Sequence, residues 1–208
     1  MKYEWRKAEK HIYLPPKKPV VLDVPTFKYF TISGSGNPNS AFFSECVEAL
    51  YAVSYAIRMS HKKGLQPEHF YEYTVYPLEG VWDISENAKQ SLTGTLDKNE
   101  FVFTIMIRQP DFVSNEFAEL AKEWAKKKKS NPLIQELAFR ELSEGKCIQM
   151  MHLGSYDSEP ASFALMTDFA EKNQFKRKSM QHREIYISDP RKTAPEKLKT
   201  VLRFQVEP

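Results

Sequence analysis

Gly154-Ser155-Tyr156-Asp157-Ser158-Glu159-Pro160 decides how this chain is read, because it repeats a device met earlier. Gly34-Ser35-Gly36-Asn37-Pro38-Asn39-Ser40 is likewise a small-residue turn followed by helix-capping chemistry and an early proline. Ahead of this first turn, Phe27-Lys28-Tyr29-Phe30-Thr31-Ile32 is rich in aromatic and β-branched residues and reads as a strand. Behind it Phe43, Val47, Leu50 and Ile57 share one helical face, which predicts a helix to Met59. Tyr71–Tyr76 then reads as a strand, Pro77 to Trp82 as a loop, and Glu100–Arg108 as a strand apolar enough to be buried on both faces.

The second turn sits in the same order of elements. Leu137–Leu142 and Lys146–Leu153 flank Ser143-Glu144-Gly145 and read as a hairpin. A helix follows with Phe163, Met166 and Ala170 inward, then strands at His182–Ser188 and Val201–Val206. The fold class is therefore α+β, with duplicated strand-helix-strand-strand units related by pseudo-twofold symmetry. Helices are expected on one face of the sheet and a ligand groove on the other. Pro15, Pro16, Pro19 and Pro25 make residues 1–25 an extended N-terminal arm. Residues 26–208 form one ligand-binding domain: a first unit at 26–110, a linking helix within 111–136, and a second unit at 137–208. Ser114 can cap the linking helix, whose stripe is Phe117, Leu120, Ala121 and Trp124.

Composition narrows the function classes. The chain has 208 residues, 41% of them hydrophobic and 27% charged, which suits a globular core and excludes a disordered chain. A net charge of +3 is too slight to imply nucleic acid as the main partner. No apolar run reaches the length of a membrane span, and Met1–Lys7 lacks the core of a secretory signal. Two distant cysteines, Cys46 and Cys147, suit a reducing compartment, so a cytoplasmic protein is expected. The five histidines show no metal-ligand spacing, and no Walker, dinucleotide or nucleophile-elbow motif is present. Neither a metal nor a cofactor is expected.

Strand alternation sorts the residues that could carry chemistry. Ile185 and Ile187 fall on one side of their strand and should meet the helices. His182, Glu184 and Tyr186 fall on the other and should meet the groove. Glu184 could be an edge acid, solvated or paired with Arg183 or Arg203. It could equally be an acid among aromatic groups whose pKa is raised enough to make a base. Buried acids are rare, so the pattern by itself favours the first environment. The stretch from Tyr71 to Trp82 adds Tyr73, Tyr76 and Trp82, flat apolar bodies with polar tips suited to planar or cationic ligands.

Four phrases carry a resemblance. They are Tyr73-Thr74-Val75-Tyr76-Pro77-Leu78-Glu79-Gly80-Val81-Trp82, Met106-Ile107-Arg108-Gln109-Pro110-Asp111-Phe112-Val113, Met150 through Pro160, and His182-Arg183-Glu184-Ile185-Tyr186-Ile187-Ser188-Asp189-Pro190-Arg191-Lys192. In that order, and across nearly the whole chain, the sequence resembles the stand-alone GyrI-like small-molecule-binding proteins. The resemblance implies two strand-helix-strand-strand units with a ligand groove between them. It makes Glu184, on the strand before Ser-Asp-Pro, the central acid. Tyr76, Trp82 and Tyr156 fall in matching phrases as ligand-binding aromatics. Tyr73, His152, His182, Tyr186 and, from its helix, Trp124 complete the expected ligand-binding set.

Family members include effector-binding parts of multidrug-sensing activators, a gyrase inhibitor, and enzymes that open cyclopropanoid DNA-alkylating compounds with water. The resemblance implies a hydrophobic, planar or cationic small molecule as the partner, with a cofactor-independent hydrolase as the first reading. A non-catalytic drug-binding or effector-sensing module is the second. A gyrase-inhibitor-like interaction protein ranks last, because no long acidic run of DNA-mimic type is present. The sequence contains no helix-turn-helix segment, which speaks against an activator acting alone and against direct contact with nucleic acid.

Overall fold

Four prolines do not keep the amino-terminal segment extended. In the structure, a computed structural model that describes residues 2–91 and 97–208, this segment folds into two helical turns and a strand. These are α1 (Trp5–Ala8), α2 (Lys10–Tyr13) and β1 (Val20–Val24). The reason lies in the apolar residues between the prolines. Trp5, Ile12 and Tyr13 are buried, and the Trp5 and Tyr13 rings meet at 5.1 Å. Pro15 and Pro16 act only just past the end of α2, where a helix cannot continue.

The chain forms two compact units. The first comprises Met1–Glu4, Phe27–Leu78 and Trp82–Leu142; the second comprises Trp5–Thr26, Glu79–Val81 and Ser143–Pro208. Residues 5–26 thus belong with the second unit rather than forming a separate arm.

The first unit runs β2 (Phe27–Ser35), α3 (Ala41–Arg58), β3 (Leu78–Ile84, of which Glu79–Val81 belong to the second unit), α4 (Glu86–Ser91), β4 (Phe101–Gln109), α5 (Asn115–Lys126), α6 (Leu133–Glu136) and β5 (Ala138–Leu142). Strand β2 is central, pairing antiparallel with β4 (Phe30 opposite Ile107) and with β5 (Phe30 opposite Phe139). Gly34 has room for no side chain, since a Cβ there would stand 2.7 Å from both Phe103 and Phe42. Ser40 caps α3 by accepting the Phe43 N–H at 3.2 Å, as its position after the turn predicts. Ala49, Leu50, Val53 and Ile57 are the buried face of α3, and each large aliphatic side chain so buried stabilises by about 1.5–3 kcal/mol.

Three local expectations change here. Tyr71–Tyr76 is not a strand; it makes an isolated bridge from Tyr73 to Tyr3, and the strand lies at Leu78–Ile84 instead. Tyr71 and Tyr73 bury their rings against Phe112, at 5.2 and 6.0 Å, rather than in a ladder. On α5 the buried stripe is Phe117, Ala118, Ala121 and Ala125, whereas Leu120 is half exposed. The alanines turn inward toward α3, and Lys122 reaches under them to donate to the Leu137 carbonyl at 3.0 Å. Finally, the strands either side of Ser143-Glu144 are no hairpin. β5 pairs with β2, and the strand that follows pairs with β1.

The second unit continues with β6 (Gly145–Leu153), α7 (Glu159–Lys172), β7 (Lys176–Arg177), β8 (His182–Tyr186) and β9 (Lys199–Glu207). Its strands lie in the order β1-β6-β9-β8, all antiparallel, with β7 also against β9. Helix α7 covers one face, where Met166 and Ala170 pack on Ile148, Met150, Leu202 and Phe204. Each unit therefore holds the expected strand-helix-strand-strand core, and the α+β class stands.

Candidate functional site

Register across β8, β9 and β6 assigns every side chain of the second unit to a face. Residues directly opposite one another in an antiparallel ladder share a face. Glu184 is opposite Leu202, and Leu202 is opposite Met150. Tyr186 is opposite Thr200, and Thr200 is opposite His152. Leu202 and Met150 pack against α7, so Glu184, Tyr186 and His152 lie on the α7 face. This inverts the expected assignment, in which Ile185 and Ile187 were to meet the helices. Alternation separates the two sets correctly but carries no label for which set a helix covers. The Arg183 set faces away from α7, and its polar groups are consumed there.

On the α7 face Glu184 is 9% exposed and lies 3.2 Å from Nε2 of His182. The His182 ring meets Phe163 of α7 edge-on at 4.7 Å, which fixes its plane. From the first position of α7, Glu159 brings a second carboxyl within hydrogen-bonding reach of Glu184. Glu159 is 6% exposed, and its Oε1 is buried without a hydrogen-bond partner. Burial, then the Glu184 charge, pushes the Glu159 carboxyl well above the ordinary carboxylate range. The turn ahead of α7 supplies Tyr156, whose ring stands edge-on to Tyr186 at 6.1 Å. Burial, aided by the charges of Glu184, Glu159 and Asp189, pushes the Tyr156 hydroxyl up to about 12, so it stays a donor at neutral pH. Tyr156 is 39% exposed and opens this cluster to solvent.

His152 shapes the turn that carries Tyr156 and Glu159. Its Nε2 donates to the Ser155 carbonyl at 3.0 Å, and its Nδ1 lies 2.9 Å from the Ser162 hydroxyl. Gly154 is required beside it: φ is +132°, and a Cβ would come within 2.9 Å of Ser158 Oγ. The arrangement can hold an anionic carboxylate beside a protonated one, between aromatic rings.

The sequence matches the GyrI-like small molecule binding domain over residues 17–207. The chain belongs to the GyrI-like family. A hydrolase from Listeria innocua is 34% identical over 99% of this chain and 100% of its own, with a TM-score of 0.89. Another hydrolase structure from Listeria innocua is 35% identical over the full length of both chains, with a TM-score of 0.91. An uncharacterized conserved protein from Listeria innocua is 36% identical over 99% of this chain and 100% of its own, with a TM-score of 0.89. No curated protein matches the sequence.

Within this GyrI-like domain the expected residues fall into separate groups. His182, Glu184, Tyr186, Tyr156 and His152 come together in the second unit, although both ring nitrogens of His152 are already engaged, by Ser155 of the turn and Ser162 of α7. Tyr73 and Tyr76 are neighbours in the first unit, their rings 6.3 Å apart and both fully buried. The Arg108 guanidinium lies over Phe27 at 3.3 Å and over Tyr76 at 4.5 Å, so an internal cation already occupies a face of Tyr76. The Tyr73 hydroxyl is buried without a hydrogen-bond partner. Trp82 is core: it stacks on Phe43 at 5.7 Å and meets Phe101 and Phe103. Trp124 turns along α5 with its ring edge-on to Phe117.

Glu159 is the residue that sequence reasoning missed. An acid at the first turn of a helix is ordinarily a dipole partner and attracts no notice. The available signal was the spacing of Glu159 and Phe163, four apart on a helix and so able to meet Glu184 and His182, two apart on a strand. Cys46 and Cys147 are free and buried, and burial pushes their thiols up to about 11 and about 12, so neither offers a thiolate at neutral pH. Among the described residues no three metal-ligating side chains converge, and no helix is long and apolar enough to cross a membrane. An open cavity of about 310 Å³ in the first unit, between Thr31, Phe42, Glu136 and Arg140, contains none of the expected residues.

Proposed function

We propose that this chain binds flat hydrophobic or cationic small molecules and adds water to cyclopropanoid compounds, with Glu184 as the general base. The observation that carries the reading is the placement of Glu184: buried, 3.2 Å from a His182 ring that meets Phe163, and on the same strand face as Tyr186, whose ring meets Tyr156. The two hydrolases from Listeria innocua support it, since they match this chain end to end at about a third identity. A cytoplasmic setting suits the two buried free thiols.

In the proposed reaction a planar ligand stacks on the rings, and desolvation supplies most of its affinity. Glu184 takes a proton from water as the water oxygen bonds to a ring carbon of the cyclopropane. The strained carbon–carbon bond breaks, and its electron pair moves through the conjugated system to the carbonyl oxygen, which becomes a phenolate. The Tyr156 hydroxyl, protonated at neutral pH, is placed to hydrogen-bond that developing charge. Relief of strain and aromatisation drive the step, so positioning and proton transfer by side chains suffice and no cofactor is called on.

The test is mass spectrometry of a cyclopropanoid after incubation with the protein. A gain of one water supports the hydrolase. Unchanged compound that is nonetheless bound supports a second reading, favoured by the paired acids among aromatic rings: a non-catalytic module for cationic lipophilic ligands, with Glu184 as counter-charge.

A further inference from the structure

We propose that Glu159 is the acid that works with Glu184: the two carboxyls hold one proton between them, and Glu159 delivers it to the ligand oxygen. The delivery step rests on the hydrolase reading above; the shared proton does not. Geometry carries the inference. Glu159, at the first position of α7, hydrogen-bonds Glu184, which lies on the face of β8 that α7 covers, and both are almost wholly withdrawn from water. Two carboxylates so placed cannot both ionise without strong repulsion, so one retains its proton.

The groups around the pair sharpen this. Asp157 and Tyr156 face Glu159 from the turn ahead of α7, Asp189 adds its charge from the segment after β8, and His182 flanks Glu184 on β8. Asp157 and Glu184 both oppose ionisation of Glu159. The partnerless Oε1 of Glu159 is the second observation, and it points to a ligand. A nine-tenths buried carboxyl oxygen without a hydrogen bond is costly unless something else fills its valence.

The proton count closes. At the start the pair carries one proton, on Glu159, and Glu184 is anionic. Water gives a proton to Glu184 as its oxygen bonds to the ring carbon, and Glu159 gives its own proton to the phenolate oxygen as the ring opens. The pair again carries one proton, now on Glu184, and it returns to Glu159 across their hydrogen bond. The net change is the addition of one water to the ligand.

Two measurements separate the shared proton from the reaction. In protein labelled with carbon-13 at the glutamate carboxyls, NMR titration should show one carboxyl losing its proton far above the ordinary glutamate range. That resonance should vanish in Glu159→Gln and shift back toward ordinary values in Glu184→Gln. Ordinary titration of both groups overturns the shared proton, whatever the activity. In turnover of a cyclopropanoid, Glu159→Gln should lower kcat at least 100-fold with KM within a few-fold, and the fall of kcat at alkaline pH should disappear. Near-normal kcat with an unchanged pH profile overturns proton delivery and leaves the Glu184 base intact. An inactive wild type overturns the delivery step and the hydrolase reading together, while the titration still decides the shared proton. Thermal melting of Glu159→Gln confirms that the variant is folded.

Discussion

Arg183 Nη1 lies 2.6 Å from Glu79 Oε2, joining two buried side chains 104 positions apart in sequence. Glu144 bridges the same guanidinium, at 3.0 Å, and that of Arg203, at 2.7 Å. Burial works against the Glu144 charge, but Arg203 and Arg183 together hold its carboxyl below the usual range. Burial drives the Glu79 carboxyl the other way, above its usual range, against the pull of Arg183 and Arg203, and removing one member strands its partner. Such a loss costs about 3–5 kcal/mol. Arg183→Met is therefore expected to lower stability by that amount in urea denaturation, and adding Glu79→Gln to it should restore part of the loss. Additive losses in the double variant would refute the pairing as the cause.

Glu184→Gln keeps the shape of the site and removes the base. Turnover of a cyclopropanoid should fall by about 10²–10⁴-fold, the range general bases contribute, while the ligand dissociation constant changes little. Stopped reactions sampled by mass spectrometry measure the first quantity and tryptophan or ligand fluorescence the second. Turnover within tenfold of wild type would remove Glu184 from the base role.

Glu159 ties stability to pH. Its folded pKa is raised, so between the unfolded value near 4.3 and the folded value the native state binds more protons than the unfolded chain. Stability is then lost as pH rises through that window. Glu159→Gln abolishes the dependence, so the variant should melt progressively higher than wild type as pH goes from 5 to 8. Parallel melting curves at all pH values would contradict a raised pKa.

The legibility of the molecule follows the same residues. Capping serines, turn glycines and helical stripes are local, and Ser40, Ser114 and Gly154 do what their neighbours in sequence imply. Pairing partners are not local. Nothing within Ser143-Glu144-Gly145 reveals that β5 and β6 turn to different partners, because Glu144 is committed to arginines far along the chain. The alternation of His182, Glu184 and Tyr186 was readable, but its orientation depended on α7, and so did the part played by Glu159. Trp82 shows a different limit: an aromatic residue looks alike in sequence whether it walls a site or packs on other rings.

Tyr73 offers a separate check on the first unit. Its hydroxyl is buried without a partner, and burial pushes its pKa upward. An unsatisfied hydroxyl costs about 1–3 kcal/mol, so Tyr73→Phe should raise the melting temperature rather than lower it. Differential scanning calorimetry decides; a drop would mean that the hydroxyl holds a partner in solution.

Arg203 Nη2 on β9 donates to the Ile12 carbonyl at 3.0 Å, and Gln149 Nε2 on β6 donates to that of His11, so two strands of the second unit grip α2. During synthesis, residues 5–26 leave the ribosome long before β9 exists to receive them. Trp5, Ile12 and Tyr13 must then travel as uncovered apolar surface until β9 has emerged, a condition that invites chaperone holding. Emergence of β9, rather than of the amino-terminal helical turns, is the event that lets the second unit close.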